Sequence, residues 1–212
     1  MTSALGVAFK PRKSPVQARS SASVEAILDA TVQVLLKVGK ERLTTTRVAA
    51  RAGVSVGTLY QYFPNKSALL QAALRRHLEH MRDAMREVIP GLEGRPVEEM
   101  MSAMAMAFLA AKMRDPKTGV ALYAVSSDVD GFSIAREISD GLQAMVVALL
   151  KTAKERVAEP EAVASVLLGA IGGVSRRLIE SKDPEWSYPA FMRELDAVVR
   201  GYARQLSGGP LI

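Results

Sequence analysis

The sequence predicts an all-α protein in which a three-helix N-terminal domain precedes a larger helical body. Two observations predict this fold class. Apolar residues recur at intervals of three and four along most of the 212 residues, and no run alternates apolar and polar residues as a half-buried strand would. We therefore divide the chain into a basic arm at residues 1–19, a small domain at 20–68 and a body at 69–212.

The arm has four basic residues, two prolines and no acidic residue, and we expect it to be flexible. Apolar residues then recur at helical spacing from Val24 to Val38, which predicts the first helix. Gly39 follows the last residue of this periodic segment and is expected to end the helix.

The next two helices are predicted as a pair joined by a tight turn. The first starts at Thr45 or Thr46, whose hydroxyl groups can accept hydrogen bonds from backbone amides at a helix N-terminus. Gly53 ends it, because glycine adopts a left-handed conformation at little cost. Ser55 is the predicted N-cap of the second helix. Pro64 ends that helix, since the residue before a proline avoids the α region.

The second helix of this pair has an apolar face and a polar face. Leu59 and Phe63, four residues apart, are expected to point into a small core. The opposite face can enter a DNA major groove, where hydroxyl and amide groups reach base edges and phosphates. Lys66, beside the N-terminus of the next helix, can bind a phosphate. The predicted DNA-contacting residues are Thr45, Thr46, Val56, Gly57, Thr58, Tyr60, Gln61, Tyr62 and Lys66.

The whole run from residue 43 to 66 resembles the helix-turn-helix of the TetR family of transcriptional regulators. The matching residues are Leu43-Thr44-Thr45, Val48-Ala49, Ala52-Gly53-Val54-Ser55, Gly57, Leu59-Tyr60, Tyr62-Phe63 and Asn65-Lys66. The resemblance covers about residues 20 to 80. It implies a DNA-binding homodimer, commonly with an inducer in the body. Val56 departs from the pattern, because valine offers a base only a methyl contact where a polar residue could read it.

The charge distribution favours a polyanionic partner without reference to any family. Residues 1–82 carry 13 Lys and Arg against 4 Asp and Glu, and residues 83–212 carry 15 against 18. The net charge of +6 therefore separates into +9 and −3, the charge pattern of a nucleic-acid-binding domain. A membrane surface is the rival polyanion. The arm is either an ordinary disordered terminus or a segment that follows the DNA backbone or enters the minor groove.

The body is predicted to contain one long helix that joins it to the small domain, followed by five more. The joining helix covers about residues 69–88 and ends at Pro90-Gly91. The other predicted helices are Val97 to Met113, Gly119 to Ser126, Phe132 to Val157, Glu161 to Glu180 and Pro189 to Leu206.

Small residues at intervals of four in the penultimate helix indicate a close helix contact. Glycine inside a helix costs about 1 kcal/mol relative to alanine, so we expect a packing reason for it. The last two helices can form a four-helix interface across a twofold axis, and the TetR resemblance implies the same. The alternative is that these glycines pack within one subunit. The predicted dimer-interface residues are Ser165, Gly169, Gly173, Phe191, Leu195, Val199 and Tyr202.

A methionine-rich group can line an adaptable apolar pocket for a small apolar or amphipathic organic inducer. A plain hydrophobic core is the alternative for each of these residues. The predicted pocket residues are Met81, Met85, Met101, Met104, Phe108, Tyr123 and Met145.

Other classes of protein are disfavoured. The chain has no cysteine, which excludes disulfides and thiolate sites and fits a reducing, cytoplasmic location. His77 and His80 lack a third metal ligand, so we expect a surface pair, no metal and no cofactor. No catalytic constellation is found, and no apolar stretch reaches the roughly 18 residues of a membrane span. The rival function is a helical dimer that binds a small molecule or a protein and attaches to DNA only unspecifically.

Overall fold

The structure is a computed structural model that describes residues 15–207, and within that range every regular element is helical, which confirms the all-α prediction. The chain divides into two compact units, Met1–Lys66 and Ser67–Ile212, a boundary two residues before the predicted one at 68. Residues 1–14 of the predicted arm lie outside the described residues. The backbone is helical from Pro15, so the first helix begins before the predicted arm ends at residue 19.

The first unit consists of three helices around a small apolar core. Helix α2 packs against both of the others. The backbone leaves the helical region at Gly39, with φ 74°, where the sequence predicted the end of the first helix. The largest fully buried side chains of this unit are Ile27, Leu43 and Leu59. The three helices are α1 (Pro15–Arg42), α2 (Thr45–Ala52) and α3 (Val56–Tyr62).

The second unit contains α4, whose first residue belongs to the first unit, and five further helices. The most extensive helix contact is between α5 and α9, and α8 packs against α5, α6, α7 and α9. Leu109 and Leu167 are among its fully buried side chains. The helices are α4 (Lys66–Val88), α5 (Val97–Met113), α6 (Pro116–Val125), α7 (Gly131–Leu150), α8 (Pro160–Ile179) and α9 (Pro184–Ser207).

Helix α7 ends at Leu150 rather than at the predicted Val157. The residues that follow cap the N-terminus of α5 instead of continuing the helix. The Val97 amide donates to the Glu155 carboxylate at 2.9 Å, and the Lys154 amide donates to the Arg95 carbonyl at 3.0 Å. A carboxylate at a helix N-terminus satisfies an orphan amide and complements the helix dipole. A tertiary contact therefore holds the residues after Leu150 outside α7, although their residue types favour a helix.

A polar cluster fixes α9 against α5. The Ser102 hydroxyl donates to Asp196, and Arg200 Nε donates to the same carboxylate at 2.8 Å. Arg200 also donates to Glu98 at 3.3 Å. These contacts set the rotation of α9, and with it the side chains that α9 leaves exposed.

Helix α8 corrects one expectation. Its 20 residues include an 18-residue stretch with a mean hydropathy of 1.5, so it is long and apolar enough to cross a membrane by length and composition alone. Residues such as Leu167 and Ile171 are buried inside the chain, whereas Val166 is 52% exposed. Helix α8 thus carries apolar residues on an exposed side as well as on its buried side.

Candidate nucleic-acid interface, ligand cavity and dimer surface

Local hydrogen bonds build the turn between α2 and α3. Helix α2 begins at Thr45, but its N-cap is Thr44, whose side chain accepts from the Arg47 amide at 3.3 Å, so the predicted capping by Thr45 or Thr46 was wrong. Gly53 is left-handed, with φ 70° and ψ 27°, and its amide bonds back to the end of α2. Ser55 accepts from the Thr58 amide at 2.9 Å, as predicted for an N-cap.

The capped turn leaves the predicted DNA-contacting face of α3 uncovered within the described part of the chain. Leu59 is fully buried, while Gly57, Tyr60 and Gln61 are exposed. Thr45 Oγ1 and the Tyr60 hydroxyl lie 3.1 Å apart, so a hydrogen bond joins α2 to α3 at this surface. The other predicted residues are either exposed, as Thr46 and Val56 are, or half-buried, as Thr58, Tyr62 and Lys66 are.

Gly57 has no steric reason to be glycine inside the chain. A Cβ at this position would meet only Ser55 Oγ, at an ordinary contact distance of 3.7 Å. The space beside Gly57 is therefore open on the outer side of α3. Glycine lowers the stability of a helix, and packing within the chain does not require it here. Close approach of another molecule to the backbone of α3 would explain its presence.

Lys66 has a structural contact as well as a predicted phosphate contact. Its Nζ donates to the Lys40 carbonyl oxygen at 2.8 Å, beyond the kink at Gly39. An ammonium has three donors, so this bond holds the side chain at the first residue of α4 without using all of them. Lys66 is the first residue of α4, and its contact with a phosphate stays a prediction.

A cavity of about 490 Å³ lies within the second unit between α5, α6 and α8. Two of the predicted pocket residues, Phe108 and Tyr123, line it. The predicted methionines do not line this cavity: Met81, Met85, Met101 and Met104 are at most 6% exposed, and Met145 is half-buried. Their contact with a ligand stays a prediction. The full lining is Phe108, Lys112, Val120, Tyr123, Ala124, Ser126, Gly172, Ser175, Arg176, Ile179 and Glu180.

Lys112 places a buried cation at this cavity. It is 4% exposed, and its Nζ donates to the Tyr123 hydroxyl at 2.8 Å. The same ammonium lies 4.2 Å from the centroid of the Tyr123 ring and 5.9 Å from that of Phe108, within the range of cation–π attraction. Burial lowers the pKa of Lys112 to about 8 and raises the pKa of Tyr123.

His77 lies behind this pair on α4. It is 9% exposed and packs edge-on against the Tyr123 ring, with 6.2 Å between the centroids. Its Nε2 has no hydrogen-bond partner among the described residues. Burial, and then the charge of Lys112, lower the pKa of His77 to about 4, so the imidazole is neutral at neutral pH. The predicted surface pair of histidines is thus wrong for His77.

An apolar surface groove of about 570 Å³ lies between α8 and α9. The predicted Gly169, Gly173, Phe191 and Leu195 line it. No atom of the described chain lies within 4 Å of a Cβ built on either glycine. This finding contradicts the alternative in which the glycines pack within one subunit.

The other predicted interface residues occupy different environments. Val199 is 2% exposed and faces the interior, whereas the neighbouring Val198 is 62% exposed and lines the groove. Ser165 is exposed and Tyr202 is half-buried. On α9, Phe191 and Leu195 therefore line the groove and Val199 does not, and the part of these residues in a dimer stays a prediction.

Two features of the cavity lining were missed by sequence reasoning. Lys112 was not selected, although a single lysine among the apolar residues at the end of α5 is a signal that could have identified it. The Arg176–Glu180 ion pair at the edge of the cavity, 2.9 Å long, had no sequence signal beyond its i,i+4 spacing. Across residues 15–207 no group of three or more potential metal ligands occurs.

Residues 27–73 match the family model for bacterial regulatory proteins of the tetR family, and residues 96–202 match the model for the tetracyclin repressor-like C-terminal domain. The transcriptional repressor KstR of Rhodococcus jostii is 42% identical over 90 residues, which are 42% of this chain and 41% of that protein. The chain thus spans about two fifths of the length of this relative.

Solved structures share the overall fold. A TetR-family regulator from Mesorhizobium loti superposes with a TM-score of 0.72 and 18% identity, over 88% of this chain and 98% of that one. A transcriptional regulator from Rhodococcus superposes with a TM-score of 0.69 and 22% identity, over 89% and 100% of the two chains. At these identities the likeness concerns the fold.

Proposed function

The chain belongs to the TetR family of bacterial transcriptional regulators, and from that membership we propose that it is a dimeric repressor that binds a palindromic operator and releases it when a small organic molecule enters the second unit. Its family and its relatives are DNA-binding regulators rather than enzymes. The dimer, the palindromic operator, repression and relief by a ligand go beyond what family membership shows.

The observation that carries the proposal is the uncovered polar face of α3. The hydrogen-bonded caps at Thr44 and Ser55 and the left-handed Gly53 orient a helix whose outer residues include Gly57 and Gln61. Gln61 can read a base edge, and the Thr and Tyr hydroxyls of the same surface can bind phosphate oxygens. The excess of basic residues in the N-terminal part of the chain supports this use.

The groove between α8 and α9 supports a homodimer. A twofold dimer uses the same surface on both subunits, so a groove that presents both charges can pair with its own copy. Arg177 and Glu194, of opposite charge, line the groove beside the open Gly169 and Gly173. Covering this surface also accounts for the second apolar side of α8. Two copies of α3 would then read two half-sites of a palindrome.

Relief by a ligand is proposed as a shift between two populations. The cavity is in the second unit, while α4 begins at Lys66, the last residue of the first unit, and the rest of its 23 residues lie in the second. On α4, Arg75 binds Glu137 of α7 through two hydrogen bonds of 2.7 Å. A ligand that favours one position of α4 alters operator affinity, and DNA alters ligand affinity by the same factor. We propose that the protein acts in the cytoplasm.

The test is selection of bound duplexes from a genomic DNA pool, followed by titration of the selected sequence against scrambled DNA at near-physiological salt. We expect a palindrome that is bound at least about 10³-fold more tightly than scrambled DNA. Selection is repeated with Gln61→Ala, which is expected to change the preferred bases at a position in each half-site. The matched control is Gln143→Ala, a glutamine of α7 in the second unit.

Other outcomes would contradict the proposal in different ways. No enrichment over scrambled DNA would favour the rival function, a helical dimer that binds a small molecule or protein. Enrichment of a single half-site would contradict the dimer while leaving α3 as the reading helix. An operator affinity that no bound small molecule alters would contradict relief by a ligand.

A further inference from the structure

The cavity between α5, α6 and α8 combines an apolar wall with a single unneutralised cation. Val120 and Tyr123 are 44% and 38% exposed, and both line it beside Phe108 and Ile179. The described chain thus leaves Val120 and Tyr123 partly uncovered. A volume of about 490 Å³ lies in the range of roughly 300–1,000 Å³ that holds a small organic molecule.

Lys112 has no carboxylate partner in the described part of the chain. The Lys112 ammonium contacts the Tyr123 hydroxyl at 2.8 Å and the faces of the Tyr123 and Phe108 rings. Burying an ammonium without a counter-ion costs free energy. Of the three N–H donors of Lys112, one is hydrogen-bonded to Tyr123, and the other two have no oxygen acceptor among the described residues. An anion in the cavity would supply both the missing charge and the missing acceptors.

The remaining charges of the lining do not change this balance. Arg176 and Glu180 form an ion pair of 2.9 Å, with side chains 78% and 52% exposed, so they neutralise each other at the solvent edge. The lining therefore carries one net positive charge, at its buried end. Its chemistry matches one negative charge attached to an apolar body.

From this arrangement we propose that the cavity binds a small amphipathic carboxylic acid, whose carboxylate accepts from Lys112 Nζ while its apolar part lies against Phe108, Val120 and Ile179. The inference rests on the proposed function, because it names the chemical class of the ligand in that site. The Tyr123 hydroxyl, held by Lys112, lies beside the carboxylate. His77, neutral and behind the Tyr123 ring, leaves Lys112 as the charge that the ligand meets.

The test compares acids with alcohols of the same skeleton on the DNA-free dimer. Octanoate is paired with 1-octanol, and 4-phenylbutanoate with 4-phenylbutan-1-ol, and affinities are measured by calorimetry at pH 7. We expect at least one acid to bind about tenfold or more tightly than its alcohol, since a hydrogen bond to a charged group contributes at least that factor. Octylammonium, which places a second cation beside Lys112, is expected to bind more weakly than 1-octanol.

The variants are Lys112→Met, which keeps an unbranched chain and removes the charge, and Lys117→Met, the same change at an exposed lysine of α6 outside the lining. We expect Lys112→Met to lower the affinity for the acid about tenfold and to leave the affinity for the alcohol unchanged. Lys117→Met should alter neither affinity. Lys112→Arg should restore part of the preference for the acid. If Lys112→Met does not fold, the acid-to-alcohol comparison on the unaltered protein decides the question.

Some results would overturn the inference. These are equal binding of each acid and its alcohol, no binding of either acid, tighter binding of octylammonium, or an unchanged acid affinity in a folded Lys112→Met. Because no DNA is present, such a failure leaves the proposed operator binding untouched. Conversely, an acid that binds through Lys112 without altering operator affinity would contradict relief by a ligand and retain the anion site.

Discussion

Gly57 lies on the outer side of α3, and the chain itself does not use the space beside it. A Cβ there would meet Ser55 Oγ at 3.7 Å, an ordinary contact. We therefore predict that Gly57→Ala raises the free energy of unfolding by about 0.5–1 kcal/mol, because alanine is the better helix former. The same methyl group would protrude toward a bound base pair and weaken operator binding by about 1–3 kcal/mol.

Urea unfolding and operator titration on the same preparation measure the expected gain in stability and the expected loss of operator affinity. Gly141→Ala on α7 is the control, because its position is exposed and no atom lies within 4 Å of the added Cβ. It should stabilise the protein and leave operator affinity unchanged. If Gly57→Ala binds the operator as tightly as the unaltered protein, the backbone of α3 does not approach DNA at this position.

The charge of Lys112 should make the affinity for a carboxylate depend on pH. Burial lowers its pKa to about 8 in the ligand-free protein, so the ammonium form, which attracts the anion, is lost as the pH rises above that value. We predict nearly constant affinity between about pH 6 and 7.5 and a fall of about tenfold in total between about pH 7.5 and 10, the same loss that is expected for Lys112→Met. Calorimetry in buffers of matched ionic strength measures this.

The other titratable groups that face Lys112 do not produce the same dependence of carboxylate affinity on pH. From α4, His77 has a pKa lowered to about 4 and is neutral throughout this range. From α6, the pKa of Tyr123 is raised by burial. From α8, Arg176 and Glu180 form their own ion pair. A carboxylate affinity that stays constant to pH 10 would show that Lys112 does not bind the anion.

Residue roles were predictable from the sequence where they depend on neighbours along the chain. Gly53 and Ser55 were identified because turns and caps use particular residue types at fixed offsets. Lys112 was not, because its significance depends on burial against Tyr123, eleven residues away on another helix. Val199 was predicted at the interface but is buried within the subunit, since the rotation of α9 depends on tertiary contacts such as that of Arg200 with Glu98.

At the scale of elements, the start of α7 is fixed by a close backbone contact. A Cβ on Gly131 would lie 2.6 Å from the Ser126 carbonyl oxygen and 2.8 Å from its Cα. We predict that Gly131→Ala lowers the free energy of unfolding by about 1–3 kcal/mol, because backbone atoms would have to move. Ser126 lines the cavity, so ligand affinity should fall as well.

Gly141→Ala, on the same helix, provides the comparison. Its added methyl group meets nothing within 4 Å, so it should raise stability by up to about 1 kcal/mol. Thermal unfolding of both variants, monitored by circular dichroism, separates a local clash from a general effect of alanine in α7. Equal stability of the two variants would show that the turn before α7 adapts to the added atom.

The helices themselves were largely predictable, and their errors have physical causes. Helix α5 begins at Val97 and ends at Met113 as the periodicity predicted. Helix α9 begins at Pro184, earlier than the predicted Pro189, which lies inside it. Helix α7 ends early because Glu155 caps α5, a contact 58 residues apart in the chain. Periodicity reports one helix face, whereas the ends of a helix also depend on distant partners.

At the scale of the whole molecule, the proposed dimer requires that the groove between α8 and α9 stay open to a second copy of the chain. Gly169 and Gly173 expose the backbone of α8, so a second copy can approach closely. We predict that Gly173→Leu converts the protein to a monomer, because the new side chain occupies the space of the partner helix. Within one subunit the added Cβ has open space around it, and the exposed position leaves room for the rest of the side chain, so stability should not fall.

Sedimentation velocity and operator titration test this prediction together. The matched control is Gly141→Leu, the same substitution at an exposed, uncrowded position of α7, which should remain a dimer with full operator affinity. A monomer loses the second reading helix and its phosphate contacts, so operator affinity and its salt dependence should both decrease in Gly173→Leu. A Gly173→Leu protein that remains dimeric would show that the subunits meet elsewhere. A monomer that keeps full operator affinity would show instead that one α3 is sufficient to recognise the site.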